Sequence, residues 1–382
     1  MYISKFVAPE IIFGKGSLSQ VGASCKRLGA SRVFLVADQE VMQCGWIEKS
    51  LPFLQDIGLH YQIWSGFSAN PKDFEIEEGA RLYSKTKCDT ILAIGGGSTI
   101  DAAKAVATLS TNKGKIQDYE GIDLIHNPLP PLVVIPSTAG SGSEVSQFSI
   151  IVDSQRKIKM MLISKSLVPD IAISDPLLLS TVNSKITTFT GMEALSHAIE
   201  AFLSLAATDL TNVHALHAIK LISANLRASV ASQINEKAKA AMAIASLQAG
   251  LAFSNAVLGL VHAMSHQVGG LLDLPMGTIS AILLPYVLRF NLISSMDKYV
   301  DLARSLGARV ENITPREAAE KAIAMIKELS TDLKIPLGLS ELGLTEEVIP
   351  DLSKNALKDA CYITNPREAG AEEIMEIFFA AL

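Results

Sequence analysis

The sequence predicts two domains of different class, an α/β domain over residues 1–180 and an all-α domain over residues 181–382. Three observations predict it: short β-rich runs alternate with helical patterns in the first half, long Ala- and Leu-rich segments fill the second, and 382 residues exceed what one core usually organises. Apolar residues make up 49% of the chain and charged residues 19%, which supplies buried cores and rules out intrinsic disorder. Lys and Arg number 33 against 39 Asp and Glu, a formal charge of -6 with no basic run, so no nucleic-acid partner is expected.

In the first half, strands are expected at 32–37, 60–64, 90–94, 132–136 and 171–174, with crossover helices at 40–58 and 73–87, the pattern of a mostly parallel sheet. In the second half, helical spacing runs through 188–205, 210–230, 236–254 and 315–329. Residues 240–272 carry no Asp, Glu, Lys or Arg and are long enough to cross a bilayer. Gln248, Asn255, His262, Ser265, His266, Gln267 and several glycines interrupt that stretch, which reads instead as helices buried in a protein, and no membrane partner is expected. Cys25, Cys44, Cys88 and Cys361 form no CxxC pair and read as reduced thiols, and the N-terminus lacks a secretory pattern, so a cytoplasmic setting is expected.

Two glycine-bearing loops carry the first chemical signal. After the apolar run at 90–94 come Gly95, Gly96, Gly97 and Ser98, then an Ala-rich helical stretch with Asp101 and Lys104. A tight strand-to-helix turn needs one glycine; three adjacent ones let backbone N–H groups approach a phosphate while the helix aims its positive end at the same place. The second loop, Ser137, Thr138, Ala139, Gly140, Ser141, Gly142 and Ser143, crowds small hydroxyl residues behind another strand, where they can bond ribose and phosphate oxygens. Asp38 closes the strand at 32–37, where a carboxylate can bind both hydroxyls of an adenosine ribose and repel a 2′-phosphate, which favours NAD over NADP. The first domain is therefore expected to be a Rossmann-like dinucleotide-binding domain. Gly14-Lys15-Gly16-Ser17 is read as a turn without chemistry.

Five of the seven histidines lie in the helical half, and three of them, His197, His262 and His266, carry the second signal. Glu193 and His197 are four apart, as are His262 and His266, so each pair faces one side of its helix and can present ligands or proton carriers. A lone histidine on an apolar face is more often a hydrogen-bonded core residue, and His214 with His217 is read as an ordinary partly solvated face. Phe148, Phe253, Leu258, Leu272 and Met276 suggest a small, partly apolar pocket.

With these motifs in order, the chain resembles the iron-containing (group III) alcohol dehydrogenases from end to end. The resemblance rests on Gly95-Gly96-Gly97-Ser98 with Asp101 and Lys104, on residues 136–145, on the helix 190–201, and on His262-Ala263-Met264-Ser265-His266 leading to Pro275-Met276-Gly277 and Leu283-Leu284-Pro285. It implies a dehydroquinate synthase-like fold, nucleotide contacts that include Asn70 and Lys159, a small alcohol or aldehyde substrate, and a homodimer or larger homo-oligomer. It also implies a divalent metal, Fe2+ or Zn2+, bound in the family by Asp, His, His and His. Those positions are Glu193, His197, His262 and Met276 in this chain. The extra methylene of Glu moves its carboxylate by about 1.5 Å, against metal-ligand distances defined to about 0.2 Å. A thioether is a soft donor suited to Cu(I) rather than Fe2+. Metal binding is therefore expected to be weaker than in the family, or lost. With a metal at Glu193, His197 and His262, His266 relays the alcohol proton; without one, His262 or His266 donates the proton itself. The expected function is an NAD-dependent alcohol dehydrogenase or aldehyde reductase. The alternative is a catalytically impaired nucleotide-binding homologue that serves as a sensor or assembly partner. NADH consumption with a panel of short aldehydes separates them: turnover is expected, whereas tight NADH binding with none would establish the alternative.

Overall fold

In the computed structural model, which describes residues 5–382, the chain divides into two compact units, Val7–Val182 and Asn183–Leu382, the second joined by Lys5 and Phe6. The first unit is built on a parallel sheet of six strands. They are β1 (Glu10–Phe13), β2 (Arg32–Ala37), β3 (His60–Trp64), β4 (Thr90–Gly95), β6 (Leu132–Pro136) and β9 (Ile171–Ser174), in the order β1-β9-β6-β4-β2-β3. A smaller sheet holds β5 (Gly121–Ile122), β7 (Phe148–Asp153) and β8 (Ile158–Ile163) in the order β5-β8-β7. Strands covered on both faces must be apolar throughout, which explains the unbroken burial of β4 and β6. Val33, Leu35, Leu92, Ile94, Val133, Ile135, Ile171 and Ile173 form one core with Trp46, Ile47 and Leu54.

Five helices belong to this unit: α1 (Val21–Arg27), α2 (Gln39–Gln43), α3 (Trp46–Gln55), α4 (Asp73–Thr86) and α5 (Gly97–Thr111). The helix expected over 40–58 is two helices, because Gly45 takes a left-handed φ of 75° between α2 and α3, next to the exposed Cys44. The four-residue edge strand β1 and the hairpin β7–β8 were not anticipated; β7 and β8 pair antiparallel through a turn that includes Lys157 at φ 55°. The chain steps outward from β2 to β3 and returns to the other side of β2 with β4. Strand order therefore reverses between β2 and β4, where ligands of open α/β sheets bind outside the carboxyl ends. The loop at Gly14–Ser17 is a turn with no assigned chemistry, held by Asp175, which accepts the amides of Gly16 and Leu18 at 3.1 Å each.

The second unit is helical: α6 (Ser184–Leu203), α7 (Asp209–Ala231), α8 (Glu236–Ala256), α9 (Leu260–Leu272), α10 (Met276–Asn291), α11 (Met296–Leu306), α12 (Pro315–Asp332), α13 (Ile349–Ala356) and α14 (Ala371–Ala380). The charge-free stretch 240–272 falls on α8 and α9, which bend by 102° at a break containing Val257, held at φ 59°. By length and composition one helix among the described residues, Met276–Ser294, could cross a membrane, and 72% of that window is buried inside the protein. The first turn of α10 lies against α6 through Gly277, where a Cβ would come 2.3 Å from the Phe189 carbonyl oxygen and 3.2 Å from the Glu193 Cβ. Gly277→Ala should therefore force α6 and α10 apart and lower the unfolding free energy by about 1–3 kcal/mol; an unchanged urea midpoint would show that the approach carries no energetic weight.

Candidate active site

The predicted nucleotide-binding residues gather at the carboxyl edge of the parallel sheet. Asp38 follows β2, Gly95 to Ser98 join β4 to α5, and Ser137 to Ser143 follow β6. Asp38 bridges the switch point: it accepts the Val41 amide at 2.8 Å as the cap of α2, and the Thr99 hydroxyl at 2.7 Å. The helix-cap role and the predicted ribose role thus fall on one carboxylate, whose two oxygens have lone pairs beyond these bonds. The three glycines differ in purpose. A Cβ on Gly95 would meet Thr99 Oγ1 at 2.2 Å, and one on Gly97 would meet Ser141 Cβ at 2.6 Å, so both are demanded by packing. On Gly96 the nearest atom would be Thr138 Oγ1 at 3.4 Å, an ordinary contact. Gly96 is also the N-cap of α5, and among the described residues no side chain caps that helix. An open space at an uncapped 15-residue helix start is suited to an anion.

Around this edge, Ser98 donates its hydroxyl to the Ala69 carbonyl, and Lys159 on β8 donates to Asn70 Oδ1 at 2.9 Å. The Ser137 amide bonds the Gly95 carbonyl at 2.9 Å, which joins the two loops at their roots. Ser141 Oγ accepts the Ser143 amide at 3.2 Å, and the Ser143 hydroxyl bonds the Asp101 carboxylate. Asp101 and Ser143 are buried and serve the interior of the loop pair, while Thr138 stands beside Gly96.

In the helical unit, α6 and α9 bring three of the predicted histidines together. The His197 and His262 rings stack with centroids 4.6 Å apart and 18° between planes, the Phe253 ring lies 4.4 Å from His197, and His266 stands edge-on to His262 at 6.2 Å. Glu193 lies one turn before His197 on α6. His262 Nδ1 meets Glu200 Oε2 at 2.5 Å, and its Nε2 is buried without a hydrogen-bond partner among the described residues. With Glu200 ionised and the imidazole proton on Nδ1, Nε2 presents a lone pair into the interior, the arrangement by which a carboxylate prepares a histidine for a metal. His266 Nδ1 meets Asp359 Oδ2 at 2.8 Å. The Met276 sulfur lies over Gly269 of α9, 3.1 Å from where a Cβ would stand.

Glu200 and Asp359 were not singled out from the sequence. Glu200 had a signal, being a carboxylate in an otherwise uncharged run from Ala194 to Leu203, three residues past His197. Asp359 had none, since it lies 93 residues beyond the histidine it holds.

Sequence profiles described as "Iron-containing alcohol dehydrogenase" and "Fe-containing alcohol dehydrogenase family, C-terminal" match residues 8–176 and 187–382. The chain belongs to the iron-containing alcohol dehydrogenase family. Over 376 residues, 98% of this chain and 97% of the relative, it is 40% identical to 1,3-propanediol dehydrogenase of Klebsiella pneumoniae. It is 38% identical to the NAD-dependent methanol dehydrogenase of Bacillus methanolicus over 99% of both chains, and 34% identical to lactaldehyde reductase of Escherichia coli over 97% of both. A crystal structure of 1,3-propanediol oxidoreductase superposes with a TM-score of 0.97 at 40% identity over 100% of both chains. A sulfoacetaldehyde reductase of Bifidobacterium kashiwanohense, solved in complex with NAD+, gives 0.88 at 28% identity over 100% of this chain and 99% of that one. This alcohol dehydrogenase is thus an oxidoreductase acting on CH–OH groups, in which an alcohol and its aldehyde are interconverted.

The electrostatics of the Glu200–His262 pair in this dehydrogenase have a readable consequence. Burial pushes Glu200 up to about 8, against the opposing amides of Val261, Gly259 and His262, and burial pushes His262 down to about 3. In the metal-free folded protein the pair therefore keeps one titratable proton up to about pH 8. Unfolded, the same two groups lose theirs at 4.5 and 6.5. Between pH 6.5 and 8 the folded pair holds a proton that the unfolded pair has released, so stability falls as pH rises through that window. In chelator-treated protein the loss should reach about 2 kcal/mol. In Glu200→Gln this contribution should vanish from denaturant unfolding curves; equal slopes in both proteins would contradict the proton retained by the folded pair.

Proposed function

We propose that this alcohol dehydrogenase uses NAD, in preference to NADP, as its hydride carrier and a divalent cation, Fe2+ or Zn2+, held by Glu193, His197 and His262, to act on small alcohols or aldehydes. The observation that carries the cation is the buried, unpartnered Nε2 of His262, with its other nitrogen fixed by Glu200 and the His197 ring stacked against it. A carboxylate and two imidazoles suit either metal, whereas the Met276 thioether does not suit a hard cation as a fourth ligand. We therefore assign three protein ligands and leave Met276 outside the donor set.

When bound, the cation supplies Lewis-acid polarisation of the substrate oxygen. The chain's own residues do the rest. The space at Gly96 and the uncapped start of α5 receive the coenzyme diphosphate, with Ser98, Thr138 and Ser141 beside it. Asp38 takes the adenosine ribose hydroxyls and disfavours a 2′-phosphate there. Asn70, held by Lys159, completes the coenzyme contacts. His266 donates Nδ1–H to Asp359, which leaves Nε2 to take the alcohol proton in oxidation and return it in reduction. Phe253 against His197 keeps water from the imidazole pair. By analogy with the family, we place the enzyme in the cytoplasm as a homodimer. The test is dialysis against EDTA followed by reconstitution: NADH-dependent aldehyde reduction should fall by at least about tenfold and return with Fe2+ or Zn2+. Full turnover in protein shown by elemental analysis to be metal-free would overturn the cation's role and leave His262 or His266 as the sole acid.

A further inference from the structure

Lys104 is wholly buried in the third turn of α5 and forms no direct ion pair among the described residues. Its ammonium instead donates to the Ser146 carbonyl at 2.7 Å, the Phe148 carbonyl at 2.9 Å and Ser146 Oγ at 3.2 Å. Three donors meet three oxygens, so the group is satisfied. All three oxygens belong to the segment through which the second loop leaves for β7. A second bond runs beside it, from Ser149 Oγ to the Asp101 carbonyl at 2.9 Å. Midway along, the same loop rests on the first turn of α5, where Gly97 has no room for a Cβ beneath Ser141. The loop from Ser137 to Ser146 is thus held against one helix at its middle and at its exit.

We propose that Lys104 is a positioning residue for the coenzyme: its ammonium ties the second glycine-bearing loop to α5 and so builds the diphosphate cradle before the nucleotide arrives. This rests on the nucleotide role of the two loops proposed above. A buried ammonium is costly unless it is both hydrogen-bonded and balanced by charge, and both conditions hold. Asp101, one turn before it on α5, and Glu144 in the loop are the buried carboxylates that act on Lys104, with Lys159 acting on Asp101 from β8. Burial pushes Lys104 down to about 8, and the two carboxylates oppose that push. A leucine or methionine would fill the volume, but neither could reach three oxygens across the loop. The geometry therefore selects a long cation rather than an apolar filler.

Lys104→Met tests this through the split between coenzyme binding and turnover. If the untied loop is competent only a tenth of the time, the NADH Kd from fluorescence titration rises about tenfold. At saturating NADH, kcat and the KM for the alcohol or aldehyde are expected to remain within about threefold of the parent, because loop ordering is then driven by the coenzyme. A folded variant with unchanged NADH Kd overturns the proposal, as does a lowered kcat with unchanged Kd. Should Lys104→Met fail to fold, Ser146→Ala removes one of the three acceptors; an NADH Kd raised about threefold supports the tie, and an unchanged Kd overturns it. If the parent protein binds no NADH at all, the nucleotide reading itself falls. The tie is then read by deuterium uptake over residues 137–148 in whichever variant folds, where faster exchange than in the parent supports it and equal exchange overturns it.

Discussion

The first turn of α9 carries amide hydrogens into the protein interior where no residue beside them can cap the helix, and Glu200 reaches from α6 to supply what is missing. Its carboxylate accepts the Val261 amide at 2.7 Å and the His262 amide at 3.3 Å, while Asn365 takes the Leu260 amide at 3.1 Å. The same carboxylate grips the His262 ring. Helix capping and imidazole orientation are therefore one interaction, and neither can be altered alone. Gly259 makes it possible, since a Cβ there would stand 2.9 Å from Glu200 Oε1 and 3.0 Å from Asn365 Oδ1. The positions of His262 and, one turn further, His266 follow from this junction between α6 and α9.

The α/β unit reaches its site by a different route. Parallel strands place all their carboxyl ends on one edge, so Asp38, the Gly95–Ser98 turn and the Ser137–Ser143 loop converge there, and the Asp38–Thr99 bond and the Lys104 ammonium tie them together. What the edge does not fix, close packing does: Gly95 and Gly97 are narrow because Thr99 and Ser141 press against them. On Gly96 a Cβ would make only an ordinary contact with Thr138, and that contrast separates the glycines demanded by packing from one with room beside it.

Much of this was legible in the sequence, for identifiable reasons. The central strands could be placed because burial on both faces makes them unbroken apolar runs, and α4, α7 and α8 because their apolar spacing persists over many turns. The pairing of His197 with His262 and His266 was legible as spacing on two helices, although the stacking of their rings was not. The division of 40–58 into two helices was lost because Gly45 looks like any tolerated glycine until its left-handed backbone is seen. β1 has only four residues, and β7 with β8 sits outside the sheet that the βα alternation announces. Asp359 and Lys104 mark the limit. Their importance comes from partners 93 and 42 to 44 positions away, a separation over which local periodicity carries no information.

The thiols of this chain are unevenly distributed in depth. Cys25, Cys88 and Cys361 are buried, and Cys44, at the left-handed break between α2 and α3, is exposed. A maleimide dye added to the native protein therefore has one accessible attachment point, six residues beyond Asp38 in the α/β unit. That provides a built-in optical reporter on the coenzyme half of the molecule, with no cysteine to engineer in or remove.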